Sequence, residues 1–146
     1  MGKAARAIII EGDKILVMHR HKHGSEYFTL VGGKVNDNET TEQALVREIK
    51  EETGLEVTNY QLVYFEEHPE PYNQQYIFLC HVAPHGDVAI QEYSEEDQLN
   101  HMDMNRHKPM WVPLSSFSGL QFRTPQLHNA INQALYNGFP AQPVKL

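Results

Sequence analysis

The sequence predicts an α/β fold in which a mixed β-sheet packs against two helices. Two observations lead to this prediction. Several short runs rich in β-branched and aromatic residues are bounded by Gly, Asn or Asp, which is typical of strands and their turns. Two longer segments begin at a threonine and end at a glycine, which is typical of helices. A chain of 146 residues fits one domain with a hydrophobic core, so we expect residues 1–146 to form a single domain.

Composition and charge exclude several classes of function. The formal net charge of −7 argues against binding of duplex nucleic acid, because contacts to phosphates need a basic surface. No apolar run approaches the roughly 20 residues that span a bilayer, and the run at 7–10 is too short for a signal-peptide core. The one cysteine, Cys80, is expected in the core. We therefore expect a cytoplasmic protein without membrane partners, in which a divalent cation bridges any anionic ligand.

The first third of the chain predicts three strands. Two apolar runs separated by Glu-Gly-Asp indicate a hairpin, and a polar segment separates this hairpin from a third run that ends at a pair of glycines. The predicted strands are 5–10, 14–20 and 27–31, joined by a turn at 11–13 and a loop at 21–26, with Gly32 and Gly33 closing the third strand.

A helix is predicted over residues 41–53. Thr40 is positioned to cap its first turn, and Gln43 completes a capping box. Gly54 follows the last helical residue, at a position where a left-handed residue commonly ends a helix. Both ends of this helix are therefore specified by local sequence.

The rest of the chain predicts further strands and a second helix. The run at 74–83 is the most apolar and is expected at the centre of the sheet. The polar segment 94–108 lacks periodicity and is interpreted as a long loop of a kind that is often functional. The second helix is predicted over 124–138, with a capping threonine, a proline in its first position and a glycine at its end. The other predicted strands are 56–68, 87–93 and 110–114.

Three carboxylates crowd the end of the first predicted helix. At about 100° per residue, Glu48, Glu51 and Glu52 lie within an arc of roughly 100°. Like charges at this spacing destabilise a helix by about 0.2–0.5 kcal/mol per pair, and near the C-terminus they also oppose the helix dipole. A divalent cation would reverse this cost, because carboxylate oxygens are the ligands that magnesium and manganese prefer. The alternative interpretation is a solvated acidic helix face.

These carboxylates belong to a longer pattern. Gly33 is followed after five residues by Glu39, and after seven more by Arg-Glu-Ile-Lys-Glu-Glu-Thr-Gly-Leu at 47–55. Every defined position resembles the Nudix box, Gly-x5-Glu-x7-Arg-Glu-U-x-Glu-Glu-x-Gly-U, in which U is aliphatic. A chance match in this chain has a probability on the order of 10⁻⁷. The resemblance is specific over residues 33–55 and looser over the rest of the chain.

The resemblance to the Nudix hydrolases, a MutT-like family, implies a fold and an activity. The fold is an α/β/α sandwich around a mixed β-sheet, in which the box forms a loop, a helix and a loop. The activity is hydrolysis of the pyrophosphate linkage of a nucleoside diphosphate linked to another group. Mg²⁺ is the expected cofactor and Mn²⁺ a substitute, because such an ion neutralises phosphate charge and lowers the pKa of a bound water.

The resemblance also assigns catalytic and metal-binding roles within the box. Glu48 and Glu52 are implied metal ligands. Glu51 is implied either as a further ligand or as the base that deprotonates the attacking water. A backbone carbonyl at Gly33 is implied as an additional ligand of the ion.

Three other residues of the box are expected to act through structure. Arg47 is expected among the catalytic residues, where its role is to pair with Glu39. A guanidinium can bind a carboxylate bidentately and hold the loop against the helix. Gly54 is expected to end the helix. The alternative for Arg47 and Glu39 is a surface ion pair worth about 0–1 kcal/mol.

The substrate is less well specified than the chemistry. Arg20, Phe28 and Glu96 are candidate substrate contacts, for which an exposed basic turn, core packing and plain solvation are the respective alternatives. A nucleoside triphosphate, including an oxidised one, is the leading expectation, and ADP-ribose or another nucleoside-diphosphate sugar is the alternative. The additional motifs of NADH pyrophosphatases and coenzyme A hydrolases are not found. A non-catalytic nucleotide-binding module, an isomerase on the same fold and a homodimer stay open.

Overall fold

The structure, a computed structural model, describes residues 2–68, 74–90 and 105–146. These residues form eight strands and three helices. The strands are β1 (Lys3–Glu11), β2 (Lys14–Lys22), β3 (Ser25–Thr29), β4 (Val31–Lys34), β5 (Val57–Glu67), β6 (Gln74–Val82), β7 (Asn105–Pro113) and β8 (Val144–Lys145). The helices are α1 (Thr41–Thr53), α2 (Leu114–Phe117) and α3 (Pro125–Asn137).

The strands form one mixed sheet in the order β3-β2-β1-β6-β5-β8, with β4 also paired to β1 and β7 also paired to β2. The pairs β1–β6 and β5–β8 are parallel, and the other pairs are antiparallel. Strand β6 lies between β1 and β5, which confirms the expectation that the most apolar run is central. No helix in the described ranges is both long and apolar enough to span a membrane.

Two hydrophobic cores, one on each face of the sheet, establish a three-layer arrangement. Strand side chains alternate between faces, so that Ala5, Ala7 and Ile9 of β1 face one core and Ile8 faces the other. Helix α1 covers the first face and α3 the second. The predicted α/β/α sandwich is therefore confirmed. Cys80 lies in the first core, where burial raises the pKa of its thiol to about 12.

Both long helices begin and end where their caps were predicted. Thr40 and Gln43 form a reciprocal capping box, and Gly54 is left-handed with φ of 80°. At the start of α3, the hydroxyl of Thr124 accepts a hydrogen bond from the backbone N–H of Leu127. The helix boundaries follow from contacts within a few residues, which is why local sequence was sufficient to place them.

Several predicted loops and strands were wrong, because pairing between distant strands overrides local polarity. The polar segment 21–26 is a tight hairpin in which β2 and β3 continue to a turn at His23 and Gly24. Residues 105–108, expected in a loop, pair with β2 as the start of β7. Residues 87–90, expected in a strand, are not in one. The remaining parts of these two predictions, 91–93 and 94–104, lie outside the described residues.

The glycine pair that was expected to end a strand lies inside β4. Gly32 and Gly33 pair with Arg6 and Ala5 of β1, so the chain passes through them in extended form. Gly32 has φ of +134°, and a Cβ there would lie 2.1 Å from the carbonyl oxygen of Ala5. Only glycine can occupy this position without displacing β1.

Gly32→Ala is expected to lower the free energy of unfolding by about 2–4 kcal/mol, because the added methyl overlaps backbone and the conformation is strained. Urea unfolding measures this change. Gly86→Ala is the matched control: its Cβ would meet no atom within 4 Å, so the change should stay within about 0.5 kcal/mol. Equal effects of the two substitutions would contradict the steric explanation.

Candidate active site

Helix α1 brings two of its carboxylates into the protein and leaves the third at the rim. Glu48 and Glu52 are 3% and 0% exposed, whereas the side chain of Glu51 is 34% exposed. Leu45 and Ile49 anchor the helix in the core, and their spacing turns the Glu48 and Glu52 side towards β4. These buried carboxylates do not match the solvated acidic face that was the alternative interpretation.

The buried carboxylates lie directly against the glycine pair of β4. The backbone N–H of Gly32 donates a hydrogen bond of 2.5 Å to Oε1 of Glu52. A Cβ on Gly33 would lie 2.7 Å from the carboxylate of Glu48, so the missing side chain is what makes room for this group. The backbone of Gly33 and two carboxylates thus converge on one small region between α1 and β4.

Arg47 connects the carboxylates to the loop that precedes the helix. Its Nε and Nη2 donate to the two oxygens of Glu39, at 2.8 and 2.9 Å, and Nη2 also donates to the carbonyl of Lys34 at 2.9 Å. Its Nη1 donates to Glu48 at 3.0 Å and to Glu51 at 3.3 Å. The predicted bidentate Arg47–Glu39 geometry is present, and the same guanidinium also bridges two helix carboxylates.

The electrostatics of this network favour the charged forms of both partners. Hydrogen bonding from Arg47, with help from the backbone N–H of Asn36, lowers the pKa of Glu39 to about 2. In turn, the hydrogen bond to Glu39 and the nearby Glu48 raise the pKa of Arg47 above its usual value. Because both groups are partly screened from water, this pair is expected to exceed a typical surface ion pair in strength.

The donor set fits a hard divalent cation that is completed by a ligand. Within the described part of the chain, no group of three or more His, Cys, Asp and Glu side chains is arranged to hold a metal, and Arg47 engages two of the carboxylates instead. Mg²⁺, however, is usually bound through one or two carboxylates, waters and substrate phosphates rather than by a protein cage. Glu48 and Glu52, buried beside the Gly33 backbone, supply such a partial site.

The predicted substrate contacts are not brought together by the structure. In β2, Arg20 donates to the hydroxyl of Thr29 at 2.8 Å and contacts His107 of β7 at 3.2 Å. Phe28 of β3 pairs instead with His19, on the opposite face of the strands, where the two rings stack with centroids 4.7 Å apart. Glu96 lies outside the described residues. No contact in the described part of the chain links Arg20 or Phe28 to the α1 carboxylates.

Glu66 of β5 was not singled out from the sequence. It is 2% exposed and accepts a hydrogen bond of 2.6 Å from the hydroxyl of Thr124, at the start of α3. Its Oε1 has no hydrogen-bond partner among the described residues, so it can still accept an N–H donor. The alternation of side chains along β5 is the sequence feature that could have identified Glu66 as buried. Glu66 stands two residues after Tyr64, which faces the core on the α3 side.

The sequence is similar to a known protein family and to several curated proteins. A family model of the NUDIX domain matches residues 1–132. The NAD-capped RNA hydrolase NudC of Vibrio vulnificus is 36% identical over 81 residues, which are 56% of this chain and 30% of that protein. The chain therefore spans about a third of the length of such curated relatives.

Solved structures of similar fold cover almost the whole chain. A Nudix hydrolase family member from Chromobacterium violaceum is 26% identical, with a TM-score of 0.61 over 94% of this chain and 77% of that one. The E. coli ORF135 protein is 25% identical, with a TM-score of 0.67 over 97% and 94% of the two chains. MutT from Aliivibrio salmonicida and Vibrio cholerae is 22% identical with a TM-score of 0.68, and supports the fold alone.

The pKa of Glu39 leads to a test of the Arg47 network. Since this pKa falls from 4.5 to about 2 on folding, the pair stabilises the protein fully above pH 4.5, and the contribution is lost as pH falls towards 2. Glu39→Gln should therefore lower the free energy of unfolding by about 1–2 kcal/mol at pH 7, after allowance for partial exposure, and by much less near pH 2.

Denaturant unfolding between pH 2 and 7 measures this difference. Glu56→Gln is the matched control, because Glu56 pairs with Lys50 at 3.2 Å in a far more exposed ion pair. Its effect should stay below about 1 kcal/mol. A Glu39→Gln effect that does not change with pH would show that the charge of Glu39 is not what stabilises the loop.

Proposed function

Since the chain belongs to the Nudix hydrolase family, whose members act on pyrophosphate bonds and generally use divalent metal ions, we propose that it is a metal-dependent pyrophosphohydrolase. Its substrate is a nucleoside diphosphate linked to a second group. The observation that carries this proposal is the burial of Glu48 and Glu52 against the backbone of Gly32 and Gly33. Two buried carboxylates this close together are costly unless a cation compensates them.

The proposed mechanism divides the work among the residues of α1. Glu48, Glu52 and the backbone of Gly33 would hold Mg²⁺ or Mn²⁺, which supplies charge neutralisation of the phosphates and a more acidic water when bound. Glu51, at the solvent-exposed rim, accepts a proton from the attacking water or serves as a further ligand. The water oxygen attacks one phosphorus atom, and the bond from that phosphorus to the bridging oxygen breaks. Arg47 holds the preceding loop against the helix through its hydrogen bonds to Glu39.

For the substrate we favour a nucleoside triphosphate, including an oxidised one. The alternative is a nucleoside diphosphate joined to a larger group, such as ADP-ribose. The curated relatives named NAD-capped RNA hydrolase support this alternative, because a dinucleotide cap is a substrate of that type. Arg20, Phe28 and Glu96 stay predicted substrate contacts.

A non-catalytic nucleotide-binding module is the alternative of another class. Intact Glu48, Glu51 and Glu52 argue against it, because a domain that only binds has little reason to keep three repelling carboxylates on one helix. The single domain, the cytoplasmic location, the homodimer and the lack of membrane and duplex nucleic-acid partners stay predictions.

Release of phosphate and pyrophosphate from a panel of nucleotides, with Mg²⁺ present, tests the proposed activity. Glu51→Gln is expected to lower kcat by about 10²–10⁴-fold if Glu51 is the base. Glu52→Gln should lower turnover and also raise the Mg²⁺ concentration needed for half-maximal rate. Glu42→Gln is the control, since Glu42 lies in the first turn of the same helix and is exposed.

Two results would overturn parts of this proposal. A folded wild-type protein that binds nucleotide but releases no product from any member of the panel would favour the binding module. Near-normal turnover of Glu51→Gln would remove Glu51 from the mechanism while leaving the metal site intact.

A further inference from the structure

Strand β1 carries one charged residue inside an otherwise apolar run. Residues 4–10 are Ala-Ala-Arg-Ala-Ile-Ile-Ile, and Arg6 is half-buried among them. Ordering an arginine side chain and removing part of it from water is unfavourable unless the guanidinium finds hydrogen-bond acceptors. The acceptors that Arg6 contacts therefore indicate why this position is not apolar.

The guanidinium of Arg6 contacts the glycine-containing strand β4. Its Nη1 donates to the carbonyl oxygen of Gly32 at 3.1 Å and to the carbonyl oxygen of Leu30 at 3.4 Å. Arg6 is also the residue that pairs with Gly32 in the register of β1 and β4. Because a charged donor forms stronger hydrogen bonds than a neutral one, these carbonyl groups are held more firmly than by backbone pairing alone.

The two carbonyl groups flank the peptide bond that joins Val31 to Gly32. The N–H of that peptide donates to Oε1 of Glu52 at 2.5 Å. Fixing the carbonyl group on each side limits rotation of the peptide between them, so the N–H stays directed at Glu52. The carbonyl of Gly32 also belongs to the peptide that leads into Gly33. Arg6 is thus connected through β4 to the backbone against which the buried carboxylates lie.

Two consecutive glycines need such a restraint more than other residues do. Glycine has no Cβ to restrict its backbone and populates positive and negative φ about equally. Gly32 has φ of +134° and precedes a second glycine, so no side chain at either residue opposes rotation of the peptide between them. Such a rotation would move the backbone of Gly33 relative to the carboxylate of Glu48, which lies against it. A contact from a neighbouring strand can prevent this movement.

Arg6 contacts β4 from the side of the sheet opposite to helix α1. Ala5 and Ala7 face the core beneath α1, whereas Ile8 faces the core beneath α3, and alternation places Arg6 on the side of Ile8. Its Nε donates to Oε1 of Gln75 on β6 at 3.3 Å, which fixes the orientation of the guanidinium. Arg6 and α1 therefore hold the same stretch of β4 from its two sides.

We infer that Arg6 is a positioning residue for the cation site, and that it acts by fixing the peptides of Gly32 and Gly33. This inference rests on the proposed function, in which Glu48, Glu52 and the backbone of Gly33 hold a divalent ion. Groups that orient metal ligands without touching the ion typically contribute about 10–100-fold in metal affinity. The same contribution is expected from the hydrogen bonds of Arg6.

Amide hydrogen exchange in the metal-free protein tests the first step of this inference. Arg6→Met removes the donors, so the hydrogen bond from Gly32 to Glu52 should open more often. Exchange of the Gly32 N–H is expected to accelerate at least about tenfold more than that of the Ile49 N–H, which lies in the middle of α1 and reports opening of the helix. Equal acceleration at both amides, or an unchanged rate at Gly32, would overturn the inference.

Titration with Mn²⁺, followed by water-proton relaxation, tests the second step. Arg6→Met is expected to raise the Kd for Mn²⁺ by about 10–100-fold. Arg106→Met is the matched control, because Arg106 is an exposed arginine on β7, which pairs with β2 and not with β4. Its Kd should stay within about twofold of the wild type. A Kd that is the same in Arg6→Met and Arg106→Met would rule out the positioning role.

Gln75→Leu keeps the test decisive if Arg6→Met does not fold. It removes the acceptor that orients the guanidinium and leaves the sequences of β1 and β4 intact. It should change exchange at Gly32 and the Kd for Mn²⁺ in the same directions, each by at least about threefold. Unchanged values of both would refute the inference.

The two measurements separate this inference from the proposed function. If exchange at Gly32 responds as expected and the wild type binds no Mn²⁺, the cation site of the proposed function fails, while the hold of Arg6 on the glycine backbone stands. If the wild type binds Mn²⁺ and Arg6→Met alters neither measurement, the proposed function stands and the role of Arg6 fails.

Discussion

The burial of two carboxylates against a backbone that has no side chains is the constraint on which this structure depends. Glu48 reaches the backbone of β4 only because Gly33 lacks a Cβ atom, and Glu52 accepts a hydrogen bond from the N–H of Gly32. Strand β4 is in turn fixed by its pairing with β1, which forms part of both cores. Helix α1 is held at the same place from the other side by its apolar residues, so the position of the carboxylates is determined by the whole sandwich.

Arg47 offsets part of the electrostatic cost that this burial creates. One guanidinium compensates Glu39, Glu48 and Glu51 at once, and it ties the loop to the helix. Arg47 already contacts two helix carboxylates. A divalent ion bound at this site would therefore compete with the guanidinium for these carboxylate oxygens. Glu48 and Glu52 still carry oxygens of the kind that Mg²⁺ prefers.

The features that the sequence predicts correctly are those in which the interacting residues lie close together along the chain. The capping box of α1 and the left-handed Gly54 act within a few residues, and both were predicted correctly. The extension of β2 to Lys22 and of β7 to Asn105 depends on pairing between residues that lie 83 positions apart in the chain, which local polarity does not reveal. Arg20 and Phe28 were grouped as substrate contacts, although strand alternation separates them onto opposite faces.

A crystal structure with Mg²⁺ and a non-hydrolysable nucleotide is the most direct measurement of the central claim. We expect an ion bound to carboxylate oxygens of Glu48 and Glu52 and to a phosphate oxygen, with the contact from Arg47 to Glu39 preserved. An ion bound elsewhere, or a nucleotide bound while Glu48 keeps its contact with Arg47 and no ion is present, would contradict the claim.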